Sequence, residues 1–226
     1  MKLIGTEYGR TAFLFPTEEM RPLPGLHLPS VVETVVKRYN FFAPPDLTGP
    51  WDEVLKRTMT FRSGKLKKGN KHINISEFVI YTDAIAAECT ITENAEEFLI
   101  DLLSWGQDAL GLRESDSNIR RYYTSRLVVE FNKDANRLLA KYDELSSLLS
   151  ATLNELYEVT QPVELHRLTL NCDRSQLSSF TLATDFWIER RVNVPYSSQR
   201  FFCEAPLPTN THAQLLKRIE RLLSSA

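Results

Sequence analysis

Apolar and polar residues alternate between residues 58 and 91, and this alternation predicts three consecutive β-strands. We expect the strands over residues 58–63, 73–81 and 85–91. The polar stretch over residues 64–71 separates the first two strands and is typical of a hairpin turn. Strands joined by short connections usually pair with their neighbours in the chain, so these three predict an antiparallel meander.

Three later segments carry apolar residues at helical spacing and predict amphipathic helices. The clearest helix begins at Thr92 or Asn94 and ends at Gly111, because glycine readily adopts the left-handed conformation that stops a helix. The other two helices are expected over residues 132–157 and 211–224.

The first 57 residues contain seven of the 11 prolines, so we expect few long regular elements there. Residues 30–42 are the exception, because their valine spacing favours a helix and Ser30 with Glu33 matches a capping box. Since valine is β-branched, a strand is the alternative for this segment.

Four further segments have the character of strands, namely residues 122–131, 163–172, 186–194 and 200–203. Runs of strands interrupted by single long helices are typical of the α+β class. We therefore predict a largely antiparallel sheet with three to four amphipathic helices packed on one face. We expect one domain over residues 1–226, in which the proline-rich, irregular residues 1–57 pack on residues 58–226.

Composition and charge narrow the classes of function. The 226 residues are 42% hydrophobic and 25% charged, as in an ordinary globular protein. The net charge of −2 provides no overall positive field to attract nucleic acid or an anionic membrane. The first residues lack the apolar run of a secretory signal, and no window is apolar enough to span a membrane. We expect a cytoplasmic protein with no membrane partner.

The sequence offers no catalytic or cofactor motif. Its eight glycines form neither a dinucleotide-binding nor a phosphate-binding motif, and its four histidines are not spaced as metal ligands on one helix. Cys89, Cys172 and Cys203 lie far apart in apolar runs, which indicates buried thiols rather than reactive ones. We therefore expect no enzyme activity, no cofactor and no metal.

One weak resemblance to metal-dependent nucleases remains. In those enzymes carboxylates hold a divalent ion while a nearby lysine steadies the attacking water. Asp46, Glu53 and Lys56 supply these residue types, but two residues separate Glu53 from Lys56 where the nucleases have one. A metal-dependent phosphodiesterase is therefore the least favoured alternative.

Two basic segments make nucleic-acid binding the main alternative function. The predicted hairpin turn concentrates lysines, and a later strand begins with paired arginines followed by tyrosines, a composition that contacts phosphates and stacks on bases. The lysines have an ordinary second explanation, since they also discourage pairing at a strand edge. The candidate nucleic-acid contacts are Lys65, Lys67, Lys68, Lys71, Arg120, Arg121 and Tyr123.

The segment over residues 186–202 combines five aromatic residues with arginines. Aromatic residues and arginine are enriched in the cores of protein interfaces, whereas lysine is depleted there. We expect Trp187 and Phe202 to anchor a protein partner and Arg190 and Arg200 to orient it, with Phe201 beside them. The alternative is a helix-covered central hairpin whose arginines pair with Glu189, Glu204 and Asp185. The favoured function is non-enzymatic protein binding, either as a homo-oligomer or as one subunit of a larger complex.

Overall fold

The computed structural model describes residues 1–20, 27–49, 58–113, 119–132, 147–152, 154, 166–171 and 185–225. These residues form eight strands, namely β1 (Lys2–Leu14), β2 (Met59–Lys68), β3 (Lys71–Ile80), β4 (Ala84–Cys89), β5 (Arg120–Glu130), β6 (Arg167–Leu170), β7 (Phe186–Arg190) and β8 (Arg200–Ala205). The long helices are α1 (Leu28–Tyr39), α2 (Thr92–Leu110) and α3 (Thr209–Ser225). Residues 147–152 are also helical.

The strands pair in the order β2-β3-β4-β1-β5-β8-β7-β6. The pairs β1–β4, β2–β3, β3–β4, β6–β7 and β7–β8 are antiparallel. The predicted α+β class with a largely antiparallel sheet is therefore confirmed.

The chain divides into two compact units. We call Thr6–Ser125 with Pro206–Thr209 the N-terminal unit, and Met1–Gly5 with Arg126–Ala205 and Asn210–Ala226 the C-terminal unit. Each unit is described by itself below. The single domain expected over residues 1–226 stays a prediction.

The strand β1 is the largest departure from expectation, because its 13 residues lie where few regular elements were predicted. It ends before the first proline, Pro16, so the argument from proline does not apply to it. Gly9, Thr11 and Phe13 are buried in alternation, which is the period of a strand. The alternation was not apparent in the sequence because neither glycine nor threonine is strongly apolar.

Residues 28–39 form a helix, so the strand alternative for this segment is wrong. The helix begins before Ser30 because Pro29 suits the first helical turn. The predicted capping box is also wrong: the N-cap residue is His27, whose Nδ1 lies 2.8 Å from Ser30 Oγ.

The turn between β2 and β3 is much shorter than the predicted one. The strands extend to Lys68 and from Lys71, which leaves only Gly69 and Asn70 between them. Gly69 has a φ of 58°, a conformation that glycine adopts without steric cost. The lysine-rich segment is therefore mostly strand, because a two-residue loop is enough to reverse the chain.

The remaining boundaries differ less from the predictions. Gly111 ends α2 as expected, with a φ of 65° and its N–H bonded to the Gly106 carbonyl. The predicted helix over residues 132–157 lies mostly outside the described residues. The predicted strand over residues 163–172 contains β6, while β7 ends at Arg190, four residues earlier than predicted.

The core of the N-terminal unit is a cluster of aromatic rings. Tyr39 of α1 meets Phe98 of α2 edge-on, with ring centroids 5.0 Å apart. Phe61 and Phe78, on neighbouring strands, stack at 5.3 Å. Both helices contribute to this one cluster with the strands, so their apolar stripes are buried against the sheet.

The core of the C-terminal unit is smaller and lies between strands and α3. Its buried members are Leu127, Val129, Phe131, Ile188, Phe201, Cys203 and Leu216. Because successive strand residues point to opposite faces, these side chains define the helix-covered face of β5, β8 and β7.

A buried set of polar contacts in the N-terminal unit joins β1 to the first residues of α2 and α3. The Thr92 N–H donates to Thr209 Oγ1 at 3.0 Å, and the Thr209 N–H donates to Thr92 Oγ1 at 2.7 Å. Thr11 Oγ1 donates to the Thr92 carbonyl at 2.9 Å. The first N–H groups of a helix lack partners within that helix, so each threonine satisfies a donor of the other helix.

Gly9 allows β1 to pass close to the start of α2, because a Cβ atom at position 9 would lie 2.2 Å from the Thr92 nitrogen. We predict that Gly9→Ala lowers the free energy of unfolding by about 2 kcal/mol or more, since backbone must move to admit the methyl group. Urea unfolding followed by circular dichroism measures the change.

Gly5→Ala is the matched control, because nothing lies within 4 Å of a Cβ atom at Gly5 in the same strand. Equal effects of the two substitutions would contradict the close approach at Gly9.

Candidate binding surfaces

The pairing of β7 with β8 separates the Arg/aromatic segment into two faces. Trp187 lies opposite Glu204, and Glu189 lies opposite Phe202. The residues between them belong to the other face, where Ile188 lies opposite Cys203 in the core. Directly opposed residues of an antiparallel pair share a face, so Trp187 lies on the face opposite the core.

Trp187 is half-buried and contacts three polar side chains. Its indole Nε1 donates to Glu204 Oε1 at 3.2 Å. The guanidinium carbons of Arg126 and Arg167 lie 5.3 Å and 4.6 Å from the indole ring centroid, within cation–π range. The indole is therefore fixed in orientation before any partner arrives.

The arginines around the indole are themselves paired with carboxylates. Arg126 donates through Nε and Nη2 to Glu204 Oε2, at 2.9 Å and 2.6 Å. Arg167 Nη1 lies 3.3 Å from Glu189 Oε2. Each carboxylate neutralises its arginine and restricts its rotamers.

A third ion pair on this face joins β8 to β5. Arg200 Nε donates to Glu130 Oε2 at 2.8 Å, and this hydrogen bond lowers the pKa of Glu130. Phe202 lies on the same face of β8, with the Arg191 guanidinium carbon 5.5 Å from its ring centroid. We call the set Arg126, Glu130, Arg167, Trp187, Glu189, Arg200, Phe202 and Glu204 the Arg–Trp face.

The structure brings only three of the five predicted partner-binding residues onto this face. Trp187, Arg200 and Phe202 are half-buried there. Arg190 and Phe201 are each 3% exposed and lie opposite one another on the core side. Strand alternation turns Arg190 and Phe201 inward, so they do not lie on this face, and their part in partner binding stays a prediction.

Sequence reasoning named Glu189 and Glu204 as carboxylate partners for arginines, but it missed the two arginines that position Trp187. Arg126 and Arg167 come from β5 and β6, which are distant in sequence from β7. Within β8, Arg200, Phe202 and Glu204 are spaced two residues apart, which in a strand places them on one face. The sequence therefore contained the information that separates them from buried Phe201 and Cys203.

The four candidate lysines of the β2–β3 hairpin do not form one cluster. Lys68 and Lys71 both bond to Glu97 of α2, with Nζ to carboxylate distances of 3.4 Å and 2.5 Å. The hydrogen bond from Lys71 is the main reason that the pKa of Glu97 is lowered. These two lysines therefore lie on the helix side of the hairpin.

Lys65 and Lys67 belong to the other side. Leu66 between them is 4% exposed in the core, so its neighbours point away from the helices, and both lysines are exposed. Their cross-strand partners are Asn74 and His72. This surface is polar and basic.

The other candidate nucleic-acid contacts are also divided. Arg121 Nη1 lies 2.6 Å from Glu96 Oε1 of α2, and the Tyr123 hydroxyl donates to the same oxygen at 3.2 Å. Partial burial raises the pKa of Tyr123. Arg120, the adjacent strand residue, is exposed and points to the opposite face. Arg121 and Tyr123 are therefore both held by Glu96 of the same chain.

The cysteines and the residues of the nuclease-like pattern are the remaining candidates for catalysis or metal binding. Cys89 and Cys203 are buried as predicted, and burial raises the pKa of the Cys89 thiol to about 12. Asp46 Oδ1 accepts the Thr48 N–H at 2.9 Å, while Cys172, Glu53 and Lys56 lie outside the described residues.

Within the described ranges, no group of three or more His, Cys, Asp or Glu side chains is arranged to hold a metal ion. Among the same residues, no helix is both long and apolar enough to span a membrane. In comparisons with known proteins, no family model and no curated sequence matches this chain.

The lowered pKa of Glu97 predicts a pH-dependent contribution to stability. The ionised carboxylate stabilises the fold above the ordinary glutamate pKa of about 4.3, and this contribution is lost as pH falls through the lowered value. Glu97→Gln should therefore unfold more easily at pH 7, by at most about 1 kcal/mol because the pair is solvent-exposed. The difference should close at acid pH, as measured by thermal unfolding from pH 3 to pH 7 (roughly the span over which the carboxylate titrates).

Glu33→Gln on the exposed side of α1 serves as the control and should shift stability little at any pH. A Glu97→Gln difference that stays constant down to acid pH would show that the charge is not the cause.

Proposed function

We propose that this protein acts by binding another protein chain through the Arg–Trp face, as a homo-oligomer or as a subunit of a larger complex. The observation that carries the proposal is the setting of Trp187, half-buried on the face opposite the core and flanked by two arginines. We further propose that binding rather than catalysis is its role, and that it works in the cytoplasm.

Preorganisation supports a binding role for this face. Interface residues that contribute most to affinity are enriched in tryptophan and arginine, and ordering flexible side chains costs about 0.5–1.5 kcal/mol each on association. The hydrogen bond to Glu204 and the two flanking guanidinium groups already restrict Trp187 in the free protein. Less entropy then remains to be lost when a partner covers the indole.

The charge balance of the face favours a protein over nucleic acid. Its three arginines, Arg126, Arg167 and Arg200, are matched by the three carboxylates of Glu130, Glu189 and Glu204. Phosphate binding requires cations whose charge is not already neutralised. An alternation of both charges around an aromatic centre instead suits a polar protein surface of complementary pattern.

Nucleic-acid binding is the second candidate, and the exposed Lys65 and Lys67 favour it. Lys68, Lys71 and Arg121 are paired with carboxylates of α2, which reduces the positive charge available to phosphates. If nucleic acid is the partner, affinity should fall steeply as salt concentration rises.

We predict that Trp187→Ala weakens association without unfolding the C-terminal unit. Removing the indole deletes the central contact of the proposed interface while leaving the buried cluster of Phe201 and Leu216 intact. Light scattering after gel filtration, over a range of protein concentrations and on complexes isolated from the protein's own host, should show a loss of the larger species. Circular dichroism should remain that of the wild type.

Two controls in the same unit make the result specific. Val192→Ala changes an apolar residue that is 62% exposed outside the face and should leave association unchanged. Phe201→Ala opens the core and should cost about 3–5 kcal/mol of stability. If Trp187→Ala unfolds the chain as Phe201→Ala does, the indole is a core residue and the proposal fails. Arg167→Ala, which leaves the indole in place, tests the face independently.

A further inference from the structure

Part of the outer edge of β2 already forms main-chain hydrogen bonds with another segment of the chain. Strand β2 stands first in the strand order, with β3 as its neighbour. On its other side the Arg62 N–H donates to the Ala43 carbonyl at 2.8 Å, and the Ala43 N–H donates back at 3.2 Å. The Phe42 N–H donates to the Ser63 carbonyl at 3.2 Å. This edge therefore accepts an antiparallel chain at Arg62 and Ser63.

Beyond Ser63 the strand continues for five residues, from Gly64 to Lys68. Within the described part of the chain, no main-chain partner is recorded on the outer side of these residues. Alternate N–H and C=O groups of an edge strand point away from the sheet and can pair with another strand. Lys65 and Lys67 are exposed at this position.

The hairpin carries a local excess of positive charge. Its residues from 59 to 80 include Arg62, Lys65, Lys67, Lys68 and Lys71 against a single acid, Glu77. Glu97 of α2 is shared by Lys68 and Lys71. Five cations set against these two carboxylates leave an excess of three positive charges.

We propose that the β2 edge from Gly64 to Lys68 binds an extended acidic segment of another protein by strand addition. The main chain supplies the hydrogen bonds, and Lys65 and Lys67 select acidic side chains. The same lysines repel basic strands, and a neutral strand that covered them would remove their hydration without supplying an opposite charge. The lysines that protect the edge from unwanted pairing therefore also select an acidic partner. This surface lies in the N-terminal unit and does not rest on the Arg–Trp face.

Two other occupants fit the edge less well. A second copy of this chain pairing through β2 would place Lys65 and Lys67 beside their own equivalents, and like charges across a strand pair are unfavourable. Single-stranded nucleic acid needs aromatic rings on which bases stack. The aromatic residues of the hairpin, Phe61 and Phe78, are both 1% exposed.

The test uses a fluorescent ten-residue peptide of alternating glutamate and valine and measures its binding by fluorescence anisotropy. We expect the full-length protein to bind it, and Lys65→Glu/Lys67→Glu to weaken binding about tenfold or more. The control Lys37→Glu/Lys217→Glu reverses two exposed lysines outside the hairpin and should bind as the wild type does. Trp187→Ala should also bind the peptide normally, which separates this proposal from the previous one.

A second probe distinguishes strand addition from simple charge attraction. The same peptide with N-methyl groups at alternate residues keeps its charges but loses main-chain donors, and we expect it to bind about tenfold more weakly. Equal binding of the two peptides would overturn the proposal, as would binding of a twelve-nucleotide oligothymidine in place of the peptide. If charge reversal prevents folding, Lys65→Gln/Lys67→Gln is measured in its place. Undiminished peptide binding by that variant would contradict the proposal.

Discussion

The reciprocal hydrogen bonds of Thr92 and Thr209 determine where two helices begin, and much of the N-terminal unit depends on them. A helix start buried without partners for its N–H groups is costly, and here two such starts satisfy one another. The contact requires β1 to pass close to Thr92, which only glycine at position 9 permits. With the start of α2 held in this way, the Phe98 side chain of α2 packs in the aromatic core. The carboxylates of Glu96 and Glu97, on the same helix, pair with residues of the strands.

The positions of those two acids decide which basic residues are available for binding. Glu96 engages Arg121 and Tyr123, and Glu97 engages Lys68 and Lys71. Acids near a helix N-terminus also stabilise its dipole, so the same side chains serve the helix and the sheet. The basic residues that suggest a single surface in the sequence are therefore divided by the fold into those paired with acids of α2 and those on the other face of the sheet.

The fold class was predictable because strands and helices carry different hydrophobic periods, and the meander, α2 and α3 show those periods clearly. The strand β1 was less visible because Gly9 and Thr11 occupy buried positions for steric and hydrogen-bonding reasons rather than for apolar character. The candidate surface was predictable in composition but not in orientation. Trp187 and Phe201 look equivalent in sequence, and only the register with β8 assigns them to opposite faces. The partners of Trp187 could not be found locally, since Arg126 and Arg167 come from other strands.

The native mass of the protein isolated gently from its own host, measured together with the ratio of absorbance at 260 and 280 nm, tests the central claim most directly. A discrete species larger than one chain with the low ratio of pure protein is the result that the Arg–Trp face predicts. A monomer with no bound species would contradict a constitutive protein interface. A raised ratio would show bound nucleic acid and would favour the second candidate function, in which Lys65 and Lys67 contact phosphates.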